Sequence, residues 1–279
     1  MIAVELAKQL PRLRTWFTLG AAASFALVLT GALGLAGAGR AETVGDIPLQ
    51  VVPTASGLAI PLVALTSTMK FFLPLAVSIF AGDAVAAEVR WGSLRYALAR
   101  GVSRTHLLAA KAGVAALLSL AAVTLVPLVA LAAGAFAFGW RPLTVSDASA
   151  VQAGAAAIAF DPGTALLRLG LATAYVAAGM TSIFAFALFL SAVTGRTLVA
   201  VAGGVGLTIL SRVFNADYLP GVAVLSAYSP NNDVDLWLHL FQQPIQTTGM
   251  TAFLLLQAIY GLVFLGLAWW WFSRRDVLT

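Results

Sequence analysis

The sequence predicts an all-α, polytopic membrane protein with six transmembrane helices. Three observations predict it. Of 279 residues, 61% are hydrophobic and only 10% charged, whereas soluble domains carry roughly 25% charged residues. Six apolar stretches, at 15–38, 62–84, 110–138, 164–193, 197–213 and 249–272, approach or exceed the roughly 20 residues that a bilayer-crossing helix needs. Basic residues gather in alternate connections between these stretches, as the positive-inside rule requires. One membrane domain, 1–279, accounts for the chain.

Taken in order, residues 1–14 place Ile2, Leu6, Leu10 and Leu13 on one helical face, with Glu5, Lys8, Gln9 and Arg12 elsewhere. That pattern predicts a helix lying on the membrane surface, broken near Pro11. The first span follows. Lys8, Arg12 and Arg14 before an apolar run ending in "LAGAGRA" resemble a secretory signal, but the run is longer than the about 7 to 15 residues of a cleavable one. The second span contains Lys70, which either reaches toward the headgroups along its apolar stem or faces a transport path. Pro127 removes a backbone donor from the third span and predicts a kink there. The fifth span is short, and its pairs Ala200/Gly204 and Ala202/Gly206 permit close helix approach within the chain or to a second copy. Residues 214–248 contain an apolar piece, 219–227, too short to cross, and it is expected to re-enter the outer leaflet under cover of protein or water.

A cytoplasmic N-terminus puts eleven of the sixteen basic residues inside: Lys8, Arg12, Arg14, Arg90, Arg95, Arg100, Arg104, Lys111, Arg196, Arg274 and Arg275. Arg40, Arg141, Arg168 and Arg212 fall outside or at the outer edge. Both termini are therefore expected in the cytoplasm, with the chain in the cytoplasmic membrane. At the end of the sixth span, Trp269, Trp270 and Trp271 precede Arg274 and Arg275, an interfacial arrangement. The net charge of +5 reads as topology and lipid contact, not nucleic-acid binding.

The search for chemistry is mostly one of exclusion. No cysteine is present, so disulfides and thiolate metal sites are excluded. A P-loop needs glycine immediately before lysine; Lys8, Lys70 and Lys111 follow Ala7, Met69 and Ala110. His106 and His239 are the only histidines, so no histidine-rich metal site is expected. "GVSR" at 101–104 faintly resembles an intramembrane serine protease with His239 as base, but the topology puts Ser103 and His239 on opposite sides. No catalytic residue is assigned, and the chain is read as a non-enzyme.

The connection 85–109, "VAAEVRWGSLRYALARGVSRTHLLA", concentrates charge between the second and third spans. Ser93 is placed to cap a short helix ending near Arg100. Trp91, Leu94 and Leu98 line one side of it, and Arg95, Tyr96 and Arg100 occupy others. Gly101 can end it in a left-handed conformation, and Ser103 starts the third span. Such an amphipathic helix either fills a groove on a partner or lies on lipid headgroups.

The order "AAEVRWGSLRYALARGVSRTHLLAAK" resembles the cytoplasmic loop of type-2 ATP-binding-cassette transporter permeases. In that family a glutamate precedes a Gly-Thr-Leu helix, an R-G-V-S-R-like turn and a lysine. Glu88, Gly92, Leu94, Leu98, Ser103, Arg104 and Lys111 occupy the corresponding places, and Ser93 replaces the threonine. The six-span plan, N-terminal surface helix, re-entrant outer piece and "FSRRDV" end are similar too, so the likeness runs along nearly the whole chain. The resemblance implies an export permease working as a homodimer or heterodimer with two cytosolic ATPase subunits, which bind ATP and Mg. It implies that the loop is a coupling helix, with Glu88, Arg90, Trp91, Leu94, Arg95, Leu98, Arg100 and Ser103 at the ATPase contact. It also implies that the second and fifth spans flank the path, making Thr66, Ser67, Lys70, Phe71 and Thr208 candidate wall residues; ordinary helix packing is the alternative for each. An ion-driven secondary transporter is the competing function.

Overall fold

The computed structural model describes residues 2–36, 42–44, 49–91, 103–147, 157–213 and 228–274. Nine α-helices are present among them: α1 Ile2–Gln9, α2 Leu13–Leu35, α3 Ile60–Met69, α4 Phe72–Trp91, α5 Arg104–Phe138, α6 Pro162–Gly179, α7 Thr181–Thr194, α8 Thr197–Val213 and α9 Met250–Arg274. Five helical segments, 13–35, 72–89, 104–138, 162–194 and 250–274, are long and apolar enough to cross a membrane. The chain is a multi-pass, mostly helical membrane protein. The apolar helix α8 is shorter, at 17 residues.

The expected helix boundaries hold with local changes. Pro11 separates α1 from α2, as its missing N–H requires. The second apolar stretch is divided at Lys70 and Phe71, and the fourth at Met180. Ser103 caps α5, its hydroxyl accepting from the His106 amide at 3.4 Å. Pro127 lies within α5 without ending it. The core of the expected coupling helix, 92–102, and the apolar piece 219–227 lie outside the described residues.

The helical architecture carries one addition that the sequence reading lacked. The connections after α2 and α5 form a four-stranded antiparallel sheet, β1 Glu42–Val44, β2 Leu49–Val51, β3 Leu143–Asp147 and β4 Ile158–Phe160, in that order. Gln50 pairs with Thr43 on one side and Ser146 on the other. Val44, Leu49, Val51, Leu143, Val145 and Phe160 are buried on one face, the period of two that a half-covered strand demands. These strands of three to five residues sit in connections far apart in sequence, so no local window reveals their pairing.

The sheet closes one end of the bundle. There it meets α3, the end of α5, the start of α6 and a 3-10 helix at Asn232–Phe241. Ser56 donates to the Arg141 carbonyl at 2.7 Å and the Gly57 amide to the Gly139 carbonyl at 3.1 Å. A Cβ on Gly57 would stand 2.5 Å from the Gly134 carbonyl oxygen, so this crossing of α5 requires glycine. The opposite end carries α1 and the end of α9: α1 packs on α5, and the Arg104 guanidinium donates to the Ser273 carbonyl at 3.0 Å.

Candidate functional site: the ionic network at the terminal end

Lys111 lies on the first turns of α5 with only 2% of its surface exposed. A charge so buried is costly unless paired. It is paired twice, donating to Glu5 of α1 at 3.0 Å and to Glu88 of α4 at 2.6 Å. Both carboxylates are themselves buried. Lys8 adds a longer contact to Glu5, at 3.8 Å. Thus one ammonium joins α1 to both stems of the connection 92–102.

A second ionic knot sits beside the first. Asp83 of α4 accepts from Arg12 at 3.2 Å, from Arg14 at 3.0 Å and from the Thr197 hydroxyl at 3.1 Å. It binds the α1–α2 junction to α4 and the start of α8. Below it, Ser191 donates to the Gly82 carbonyl at 2.7 Å and accepts from the Ala86 amide at 3.0 Å, fixing α7 to α4. On α8, Ala200 and Gly204 face α4 within this same chain; a Cβ on Gly204 would overlap the Ser78 hydroxyl. Gly206 meets nothing, so only the pair Ala200/Gly204 serves this contact.

Residues 48–278 match the family model described as "Protein of unknown function (DUF2705)". The chain belongs to that family. In this DUF2705 member the matched region holds Asp83, Glu88 and Lys111, while Glu5, Arg12 and Arg14 precede it. No curated protein matches the DUF2705 chain.

Of the residues assigned to a partner contact, Glu88 is in the network and Ser103 is the exposed cap of α5. Arg90 and Trp91 end α4; Leu94, Arg95, Leu98 and Arg100 lie outside the described residues. The candidate path residues divide. Thr66 and Thr208 are buried, with hydroxyls donated to carbonyls of their own helices, Leu62 and Gly204. Ser67 and Phe71 are exposed, four residues apart. Lys70 stands at the break between α3 and α4, its ammonium 3.9 Å from Asp235 of the 3-10 helix.

Sequence reasoning missed Glu5 as a buried partner. The helical pattern of α1 places Glu5 off the apolar face, yet it is buried while Ile2 and Val4 are exposed. A carboxylate one turn from a break, with an unmatched lysine in a later span, is the available signal.

Proposed function

We propose that the chain is the transmembrane permease subunit of an ATP-binding-cassette exporter in the cytoplasmic membrane. In this reading it makes six spans, with α8 as the fifth and the segment before α9 re-entering from the outer side. Both termini and the connection 85–109 are cytoplasmic. A homodimer or heterodimer of such chains encloses the path, and a separate cytosolic ATPase holds ATP and Mg and docks on Leu94 and Leu98. The observation that carries the reading is the buried Glu5–Lys111–Glu88 linkage. It ties α4 and α5, the two stems of the loop, to one another and to α1, so a push on the loop moves the three as a unit. The loop's resemblance to type-2 permeases supplies the identity of the pushing partner.

The test is the double variant Leu94→Asp/Leu98→Asp, which would bury unpaired charge in an apolar contact. It is expected to insert normally but to lose co-purification with the ATPase or substrate-stimulated ATP hydrolysis. Full stimulated activity, or reduced membrane stability with ATPase binding intact, refutes the assignment and returns the loop helix to the lipid surface.

A second reading, an ion-driven carrier, is favoured by the approach of Lys70, at the break between α3 and α4, to Asp235 of the 3-10 helix, because ionisable groups within membrane segments that pair with one another mark ion pathways. Transport by purified chain alone, driven by an ion gradient without ATPase, selects it.

A further inference from the structure

Two adjoining grooves, of about 280 Å³ and 370 Å³, run along the seam between α5 and the α6–α7 break, sharing Leu120 and Ala177. Their walls are apolar apart from Ser119, Thr124, Thr173 and Thr181, and of these only Ser119 is buried. Ser119 of α5 lines the smaller groove; only 6% exposed, it has a hydroxyl with no hydrogen-bond partner. Serine within a helix ordinarily satisfies itself on the carbonyl four residues earlier, as Thr124 does with Leu120 at 2.9 Å. One turn beyond Ser119, Val123 also lines the groove, and Pro127 has no N–H to offer the Val123 carbonyl. The wall therefore offers one buried, unpartnered donor, the Ser119 hydroxyl, and α5 carries a carbonyl without its usual helical donor one turn further on.

Depth restricts what can answer these groups. Ser119 is eight residues from Lys111 and fifteen from Gly134, about 12 Å and 22 Å along α5. Phospholipid headgroups lie about 15 Å from the bilayer midplane, so a lipid chain in the groove leaves the Ser119 hydroxyl facing hydrocarbon. Pockets of a few hundred Å³ with one or two placed polar groups suit small, largely apolar ligands.

We infer that the seam between α5 and the α6–α7 break is a binding site for a compact, neutral, apolar molecule carrying a hydroxyl, entered sideways from the bilayer. The ligand's hydroxyl accepts from Ser119, and its apolar body extends along Leu120 and Ala177. The site is separate from the candidate path residues on α3 and α8, and it does not depend on the ATPase reading.

The test uses the full chain in lipid nanodiscs and three diazirine-bearing photolabels: octanol, octane, and phosphatidylcholine labelled in its acyl chain. Peptide mapping is expected to find octanol label in 116–123 and 177–184, saturable and displaced by excess plain octanol. Ser119→Ala lowers that labelling about fivefold, the loss of one ordinary hydrogen bond, and leaves octane labelling unchanged. Ala177→Phe fills both grooves and abolishes it; if that variant loses helicity, Ala116→Leu replaces it as the blocking change. Equal labelling by octane and octanol, unaffected by Ser119→Ala, overturns the inference. So does phosphatidylcholine labelling of the same peptides that octanol fails to displace, which makes the seam an ordinary lipid contact.

Discussion

Lys111 shows what a single side chain costs and holds. Its ammonium is buried between two carboxylates from different helices, and removing one partner of a buried pair typically costs about 3–5 kcal/mol, because the remaining charge stays desolvated. Lys111→Met is thus expected to destabilise the terminal end by an amount in that range, read as a lowered unfolding midpoint in detergent. Adding Glu5→Gln and Glu88→Gln to Lys111→Met should recover part of the loss by removing the stranded charges; no recovery would mean that the lysine acts through packing alone. The importance of Lys111 was legible in sequence through its place after the loop, and so was that of Glu88. Glu5 was not, because its partner is 106 residues away and helical-face reasoning sees only neighbours within a few turns.

Among the elements, the 3-10 helix Asn232–Phe241 is the least expected. Val234, Trp237, Leu238 and Phe241 are fully buried, and the Trp237 indole donates to the Met69 sulfur at 3.2 Å. Arg168 of α6 donates to the Leu240 and Gln242 carbonyls and lies 4.4 Å over the Phe160 ring. The helix therefore joins α3, α6 and the sheet. Burial lowers the His239 pKa and raises that of Asp233. Because His239 is held below its ordinary value of about 6.5, its contribution is fully present above that pH and is lost as pH falls through the folded value. Asp233 works in the opposite sense, its contribution being lost as pH rises through its raised value. The contrast between wild type and His239→Gln isolates the histidine: the melting temperature of wild type should fall further between pH 8 and pH 5 than that of the variant. Parallel curves would show that charging His239 costs the fold nothing. Long apolar helices were readable because each carries its own period and length. The break at Met180 was not, since it is braced from a distance: Gln257 of α9 accepts from the Ser182 amide at 3.1 Å and donates to the Pro230 carbonyl.

For the whole molecule, α1 and the end of α9 share one face of the bundle and the sheet lies at the other. The basic residues sort the same way, so single cysteines at Ser103 and Asn232 are expected to react with an impermeant thiol reagent from the cytoplasmic and outer sides, respectively. Reaction of both from one side would overturn the six-span arrangement. The ionic knots also have a bearing on how the chain is made. Glu5 and Glu88 both precede Lys111 in the order of synthesis, and Arg12 and Arg14 precede Asp83. Each of these buried charges thus meets its counter-charges already delivered to the membrane. At about 5–20 residues per second, the ribosome takes roughly 5–20 s to travel from Glu5 to Lys111, and α1 is made well before its lysine partner. The third span then enters with its lysine neutralised on arrival.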